Sequence, residues 1–203
     1  MTALVDYGAG NLASVRKALR ACGADVVEPV TPADLDAASA IVLPGVGHFA
    51  ATASLDGRWR EAIRLRLEAG VPFLGICLGM QWLFEGSDEA PSVEGLGWLP
   101  GRIARLPDRA PDGHRVKVPH AGWNAVGVPT RGRPLAGLRD GAYFYFTHAY
   151  AAPVMEATAA VTTYGTTFAS AVRAGNVLGV QFHPEKSGDE GLAVLRAFIG
   201  GAA

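Results

Sequence analysis

The strongest constraint on the fold is a series of short apolar runs separated by segments of helical periodicity. Residues 3–5 are one such run, closed by Asp6-Tyr7-Gly8; residues 40–43 are another, stopped by Pro44-Gly45-Val46-Gly47; residues 71–76 are a third, turning at Cys77. None alternates polar with apolar side chains, so each is expected to be buried on both faces, as in a parallel strand covered by helices. Between them, Asn11 is placed to cap a helix with Leu12, Val15, Leu19 and Cys22 on its apolar face, and Gly23 ends it. Residues 24–28 read as a further strand. Residues 55–69 carry Trp59, Ile63 and Leu67 at helical spacing, and another helix opens after Cys77 with Met80, Leu83 and Phe84. Strand, helix, strand in series predicts an α/β fold with a mostly parallel central sheet flanked by helices.

The texture changes between residues 86 and 179. Glycine and proline are frequent and apolar runs are short, which predicts additional antiparallel strands and loops. Residues 141–148 form a dense aromatic strand. Residues 177–182 return to a buried-strand pattern, and 188–199 read as a closing helix with Leu192, Leu195, Phe198 and Ile199 inward. No repeat or linker interrupts the 203 residues, so 1–203 reads as one domain. An apolar content of 49% against 18% charged residues excludes a disordered chain. The net charge of −1 provides no field to attract nucleic acid or an anionic membrane. The N-terminus lacks the pattern of a secretory signal, and no apolar run is long enough to cross a bilayer. The cytoplasm is the expected compartment, with both cysteines reduced. Arginines spread from Arg102 to Arg139 read as a solvated face or, more sharply, as a subunit contact.

Two motifs carry chemistry. Gly75-Ile76-Cys77-Leu78-Gly79 lies where a buried strand turns sharply into a helix, which is the arrangement of a nucleophile elbow with cysteine in place of serine. A helix N-terminus favours an anion and offers backbone N–H groups to a developing oxyanion. The plain alternative is a buried cysteine in a glycine-rich turn. Gln181-Phe182-His183-Pro184-Glu185 ends another strand, where an α/β sheet presents its ligand crevice. There His183 can take the thiol proton and Glu185 can orient the ring. Alone, His183 reads as a satisfied loop histidine; the two motifs together favour catalysis. Pro44-Gly45-Val46-Gly47-His48 ends a third strand and suits an oxyanion donor or an ordinary turn equally well. Gly8-Ala9-Gly10-Asn11-Leu12-Ala13, with Glu28 downstream, fits a dinucleotide fingerprint but explains neither of the two motifs. The histidines and cysteines lack metal-ligand spacing, so no metal is expected. Cys22 reads as packing.

Taken together, these segments resemble the class I glutamine amidotransferases, which use a Cys-His-Glu triad. The finer resemblance is to the glutaminase subunits of imidazole glycerol phosphate synthase. It is carried by Asp6-Tyr7-Gly8-Ala9-Gly10-Asn11-Leu12, Pro44 through Phe49, and Gly75 through Gln81. Pro119-His120-Ala121-Gly122-Trp123-Asn124, Tyr145-Phe146-Thr147-His148 and Gly179 through Ser187 extend it over essentially the whole chain.

The resemblance implies that Cys77 attacks the side-chain amide of glutamine, that His183 moves the protons and that Glu185 orients His183. It implies an oxyanion hole at Leu78 and Gly47, glutamine contacts at Gln81, Glu89 and His148, and no cofactor. The implied partner is a cyclase subunit with a (β/α)8 barrel, paired one to one, which receives ammonia through an enclosed channel and makes imidazole glycerol phosphate in histidine biosynthesis. Asn11, Trp123 and Lys186 are the expected docking residues. Two departures stand out. Ala149 lacks the hydroxyl that family members carry beside the histidine. Ala121 replaces a larger apolar residue and is expected to loosen packing near Trp123.

Overall fold

The structure, a computed structural model, describes residues 1–128 and 135–201; Arg131 and Arg133 of the arginine-rich stretch lie outside them. The first half supplies β1 (Thr2–Leu4), α1 (Leu12–Ala21), β2 (Val26–Val27), β3 (Ala40–Leu43), α2 (Gly57–Glu68), β4 (Phe73–Ile76) and α3 (Leu78–Gln81). Next come β5 (Gly86–Ser87), β6 (Arg102–Arg105), β7 (His120–Val126), β8 (Ala142–His148) and β9 (Tyr150–Ala151). The chain closes with β10 (Thr158–Tyr164), β11 (Thr166–Ala174), β12 (Val177–Val180) and α4 (Gly188–Ile199).

A seven-stranded sheet in the order β10-β11-β12-β4-β3-β1-β2 forms the centre. Strands β2, β1, β3, β4 and β12 run parallel, while β11 and β10 are antiparallel additions at one edge. Helices cover both faces. Val15 and Leu19 of α1 and Leu195 and Phe198 of α4 pack with Leu4, Leu74 and Ile76 on one side. Ile63 and Leu67 of α2 pack with Ile41, Leu43 and Phe73 on the other. Each fully buried Leu or Phe of this kind contributes about 1.5–3 kcal/mol by leaving water. This burial on both faces is why the strands read as unbroken apolar runs. Among the described residues no helix is long and apolar enough to cross a membrane.

The expected α/β architecture is observed, with the boundaries of β3 and α4 where the periodicity places them. Asn11 caps α1 by accepting the Ser14 N–H at 3.3 Å, and Gly23 follows the helix at φ +87°. One expectation is corrected: the helix after Cys77 has four residues, and Leu83 and Phe84 lie beyond it in turns closed by bonds to Met80 and Gln81. A helix this short has a small dipole and offers little stabilisation to an anion at its N-terminus. The additional antiparallel strands expected in the glycine- and proline-rich middle segment are observed. Strands β7 and β8 pair along their full lengths, and β10 and β11 form an antiparallel pair that extends the central sheet.

Candidate active site

Parallel strands end on a common rim, and four of those ends build the site: the turns after β1, β3, β4 and β12. The turn after β4 is strained. Cys77 has φ +53° and ψ −105°, and it is the only non-glycine residue at positive φ among those described. The flanking glycines explain how such a turn fits. A Cβ on Gly79 would lie 1.8 Å from the Leu43 carbonyl oxygen, and one on Gly75 would lie 2.6 Å from the Gly79 carbonyl oxygen. The Cys77 N–H donates to Val180 O at 2.7 Å, tying the elbow to β12, and Cys77 itself is 5% exposed.

β12 delivers the second motif. The His183 N–H donates to Tyr145 O, and Ser187 Oγ donates to His183 O, so the backbone around the histidine is held from two sides. Pro184 follows, and Gly191 of α4 packs on it so closely that a Cβ there would meet Pro184 O at 1.9 Å. His183 Nδ1 lies 2.8 Å from Glu185 Oε1, with both side chains 1% exposed. Nε2 is buried and makes no hydrogen bond of ordinary geometry, leaving it free to exchange a proton with the Cys77 thiol. Burial disfavours charge on His183, but the hydrogen bonds and charges of Cys77 and then Glu185 outweigh it and raise its pKa to about 9. A thiol beside an imidazole that stays protonated at neutral pH is equipped for nucleophilic attack followed by proton donation.

A narrow cleft lies over the thiol, lined by Gly47, Cys77, Leu78, Gln81, Glu89 and the segment from Thr147 to Tyr150. Its volume is about 30 Å³. Glu89 Oε2 accepts the Phe49 N–H at 2.7 Å and so ties the turn after β3 to the cleft. The Leu78 N–H, one expected oxyanion donor, points at Gly45 O across a long 3.4 Å. Gly47, the other, sits at φ +99° with open space where a Cβ would be. His148 does not offer a free polar atom. Its Nδ1 donates to Tyr150 O at 2.8 Å, and its Nε2 is engaged by His120 Nδ1 at 3.1 Å. Burial lowers the pKa of His148 to about 3 and that of His120 to about 4, so both rings are neutral. His148 therefore lines the cleft, as expected of a residue beside the substrate, with both ring nitrogens already engaged inside the protein. Ala149 also lines the cleft, so the missing hydroxyl is a change at the cleft surface.

Sequence reasoning missed Tyr7. Its hydroxyl is buried against Gly45 without a hydrogen-bond partner, and its pKa is pushed well above the phenolic range, by burial first and then by the charge of Cys77. The usable signal was its place in the Asp6-Tyr7-Gly8 turn, on the same rim as Cys77. The dinucleotide reading loses its acidic residue, because Glu28 is ion-paired with Arg16. Cys22 packs between α1 and α4, donating to Leu192 O, and does not approach the rim.

The expected docking residues sit near the same end. Trp123 is 56% exposed and pairs across the β7–β8 ladder with Tyr145, on which the Lys186 ammonium stacks at 5.6 Å. Asn11 and Lys186 are exposed as well. Ala121 points outward, as Trp123 does, so its small side chain thins an exposed face of β7 rather than loosening a core.

Comparison with known proteins adds the remaining evidence. The profile of the family Glutamine amidotransferase class-I matches residues 3–200. The chain is 46% identical over 201 residues to the protein named imidazole glycerol phosphate synthase subunit HisH from Methanothermobacter thermautotrophicus, covering 98% of each. It is 43% identical to the protein of the same name from Pyrococcus furiosus, covering 97% of this chain and 96% of that one. Among solved structures, that of PurLQS from Thermotoga maritima superposes with a TM-score of 0.76 at 18% identity, covering 100% of this chain and 98% of that one. A structure described as glutamine amidotransferase superposes at 0.73 with 22% identity, covering 98% and 97%. At these identities the structural likenesses speak for the fold.

Proposed function

Because the chain belongs to the class-I glutamine amidotransferases, and within them to the HisH subunits of imidazole glycerol phosphate synthase, we propose that it hydrolyses glutamine through Cys77, His183 and Glu185 to feed ammonia to a cyclase partner in histidine biosynthesis. The observation that carries the triad is the strained elbow of Cys77 beside a histidine whose pKa is lifted to about 9 and whose far nitrogen is held by a buried carboxylate.

In this reading the Cys77 thiolate attacks the amide carbon of glutamine. The oxyanion takes the N–H groups of Leu78 and Gly47. The His183 imidazolium then protonates the leaving nitrogen, ammonia departs, and a γ-glutamyl thioester remains. Neutral His183 next removes a proton from water, the hydroxide attacks the thioester, and glutamate leaves as the thiolate reforms. Glu185 keeps the Nδ1 proton in place throughout. Gln81 and Glu89 face the amino-acid end of glutamine, where Glu89 complements the ammonium. Residues 1–203 act as one domain, in the cytoplasm, without cofactor or metal.

Two features support control by the partner. The cleft over Cys77 is narrow, and the Leu78 N–H already faces Gly45 O. A rearrangement of residues 44–47 that frees this N–H would open the oxyanion hole. The partner is a (β/α)8-barrel cyclase docking over Asn11, Trp123 and Lys186. Enclosed transfer is physically reasonable because ammonia released into neutral water becomes mostly ammonium, which is no nucleophile.

The test is glutamate release by this chain, alone and with the cyclase subunit loaded with its nucleotide substrate. Cys77→Ala is expected to abolish glutamine-dependent product, by at least about 10³-fold, while synthesis from added ammonium salt persists. Full glutamine-dependent activity in Cys77→Ala would refute the triad. Cys77-dependent activity indifferent to the cyclase would refute the assigned partner.

A further inference from the structure

One polar side chain that touches the nucleophile has no part in the triad. Gln181 lies just past the end of β12, its side chain is fully buried, and its Nε2 is 3.5 Å from Cys77 Sγ. Whether that contact is a donor depends on which way the amide faces, and the surrounding network decides it.

Tyr150 O is a backbone carbonyl and can only accept. It lies 2.9 Å from one amide atom of Gln81, so that atom is the nitrogen. The same Gln81 nitrogen lies 3.0 Å from Gln181, so the Gln181 atom facing it must be the oxygen. The Gln181 NH₂ group is thereby turned toward the sulfur. The other side of Tyr150 O agrees. Asn124 Nδ2 donates to Thr163 O and to His120 Nε2, which leaves the proton of neutral His120 on Nδ1. That proton goes to His148 Nε2, so His148 carries its own proton on Nδ1 and donates it to Tyr150 O. Each donor in this network meets an acceptor, and flipping either glutamine amide would set like atoms against each other.

We propose that Gln181 is a catalytic residue of the glutaminase reaction: it donates an N–H to the Cys77 sulfur and stabilises the thiolate, with Gln81 and the Tyr150 carbonyl locking its orientation. The inference rests on the glutaminase reading and adds a second donor to the sulfur besides His183. A four-residue helix provides little dipole, so a buried amide aimed at the thiolate matters more here than in an elbow followed by a long helix. In the thioester the sulfur is neutral and the same N–H loses most of its interaction. Gln181 therefore favours the states in which sulfur carries charge, before attack and at release.

The test reads the thiol directly. Iodoacetamide alkylation of Cys77 is followed against pH by peptide mass spectrometry on the full chain, which separates Cys77 from Cys22. Gln181→Met removes the donor, and the alkylation midpoint is expected to rise by about one pH unit. Gln181→Glu retains an acceptor for Gln81 but turns an oxygen toward the sulfur, and the midpoint is expected to rise further. In the complex with the cyclase, kcat for glutamate release should fall about tenfold in Gln181→Met at neutral pH, with KM within about twofold. A midpoint unchanged in folded Gln181→Met and Gln181→Glu would overturn the proposal, even if activity fell, because the residue would then be structural only. If both variants misfold, the Gln181 side-chain amide is followed by ¹H–¹⁵N NMR in the wild-type chain. Its shift is expected to titrate with the thiol and to be flat in Cys77→Ser, and a flat wild-type titration would overturn the proposal. Because alkylation needs no glutamine, absence of glutamate release by the wild type would count against the glutaminase reading and leave the Gln181 contact to be judged by the midpoint alone.

Discussion

Two neighbouring strand ends serve the same cleft with opposite mechanical characters. The elbow after β4 is locked by close packing: Cys77 is held at φ +53°, and a Cβ on either flanking glycine, Gly75 or Gly79, would overlap neighbouring backbone. The Gly47 end of the turn after β3 is loosely held by comparison. Gly47 has open space around its missing Cβ, and Gly45 O is joined to the Leu78 N–H only across 3.4 Å. In the proposed mechanism the nucleophile must be placed to within a fraction of an ångström before substrate arrives, which accounts for strain stored at Cys77 and sustained by packing. In the same mechanism the oxyanion donors are needed only while charge develops, so their turn can be left movable without losing the elbow.

The largest effect should come from breaking the lock. In Gly79→Ala the new methyl would sit 1.8 Å from the Leu43 carbonyl oxygen, a backbone atom of β3 that cannot move without disturbing the central sheet. A loss of at least about 3 kcal/mol, or a melting temperature lower by about 10 °C, is expected. Thermal unfolding of the purified chain measures it, and a variant within 2 °C of the wild type, by the same order-of-magnitude scaling, would show that the elbow tolerates another path.

The charge pair on the locked side gives the next largest effect. His183 has a raised pKa, so its imidazolium and the stability it brings are present at neutral pH and below, and both are lost as pH rises through about 9. Glutaminase kcat in the complex should accordingly fall about tenfold per pH unit on the alkaline side, starting near that value. Glu185→Gln removes one of the groups holding the proton, so the alkaline limb should move toward neutrality by about one unit. A limb that stayed in place would assign it to another group.

The same contrast explains what the sequence disclosed. The locked parts were legible because packing dictates residue types. Strands buried on both faces admit only apolar residues, and the close approach of Leu43 O to Gly79 admits only glycine, so β3, β4 and the Gly-x-Cys-x-Gly turn are written in composition and spacing. The nearness of Cys77 to His183 and Glu185 was legible for a related reason, since the two motifs follow the ends of the adjacent strands β4 and β12. The region from β7 to β11 was less so. Its strands mix buried and exposed positions and are separated by glycine-containing turns, and their order comes from cross-strand pairing over long sequence separations, such as His120 opposite His148. For the same reason the partners of His148 were hidden. Nothing local to it shows that His120, 28 residues away, occupies its Nε2. The engagement of the Leu78 N–H by Gly45 O was hidden too, because a backbone contact between two turns leaves no mark on side-chain choice.

The smallest effect on stability, and the one that best separates the two regions, should come from Gly47→Ala. A Cβ there meets nothing within 4 Å, so the cost is confined to holding an alanine at φ +99°, about 1–2 kcal/mol. The melting temperature should drop by only a few degrees, and iodoacetamide should alkylate Cys77 at the wild-type rate, because the elbow is untouched. Glutamate release in the loaded complex should fall about tenfold, since one oxyanion donor then moves on a stiffer backbone. If Gly47→Ala instead slowed alkylation as much as turnover, the turn after β3 would be part of the lock. If it changed neither, the Gly47 N–H would have no place in the oxyanion hole. Only loss of turnover with an unperturbed thiol keeps the division of labour between a fixed nucleophile and a movable oxyanion donor.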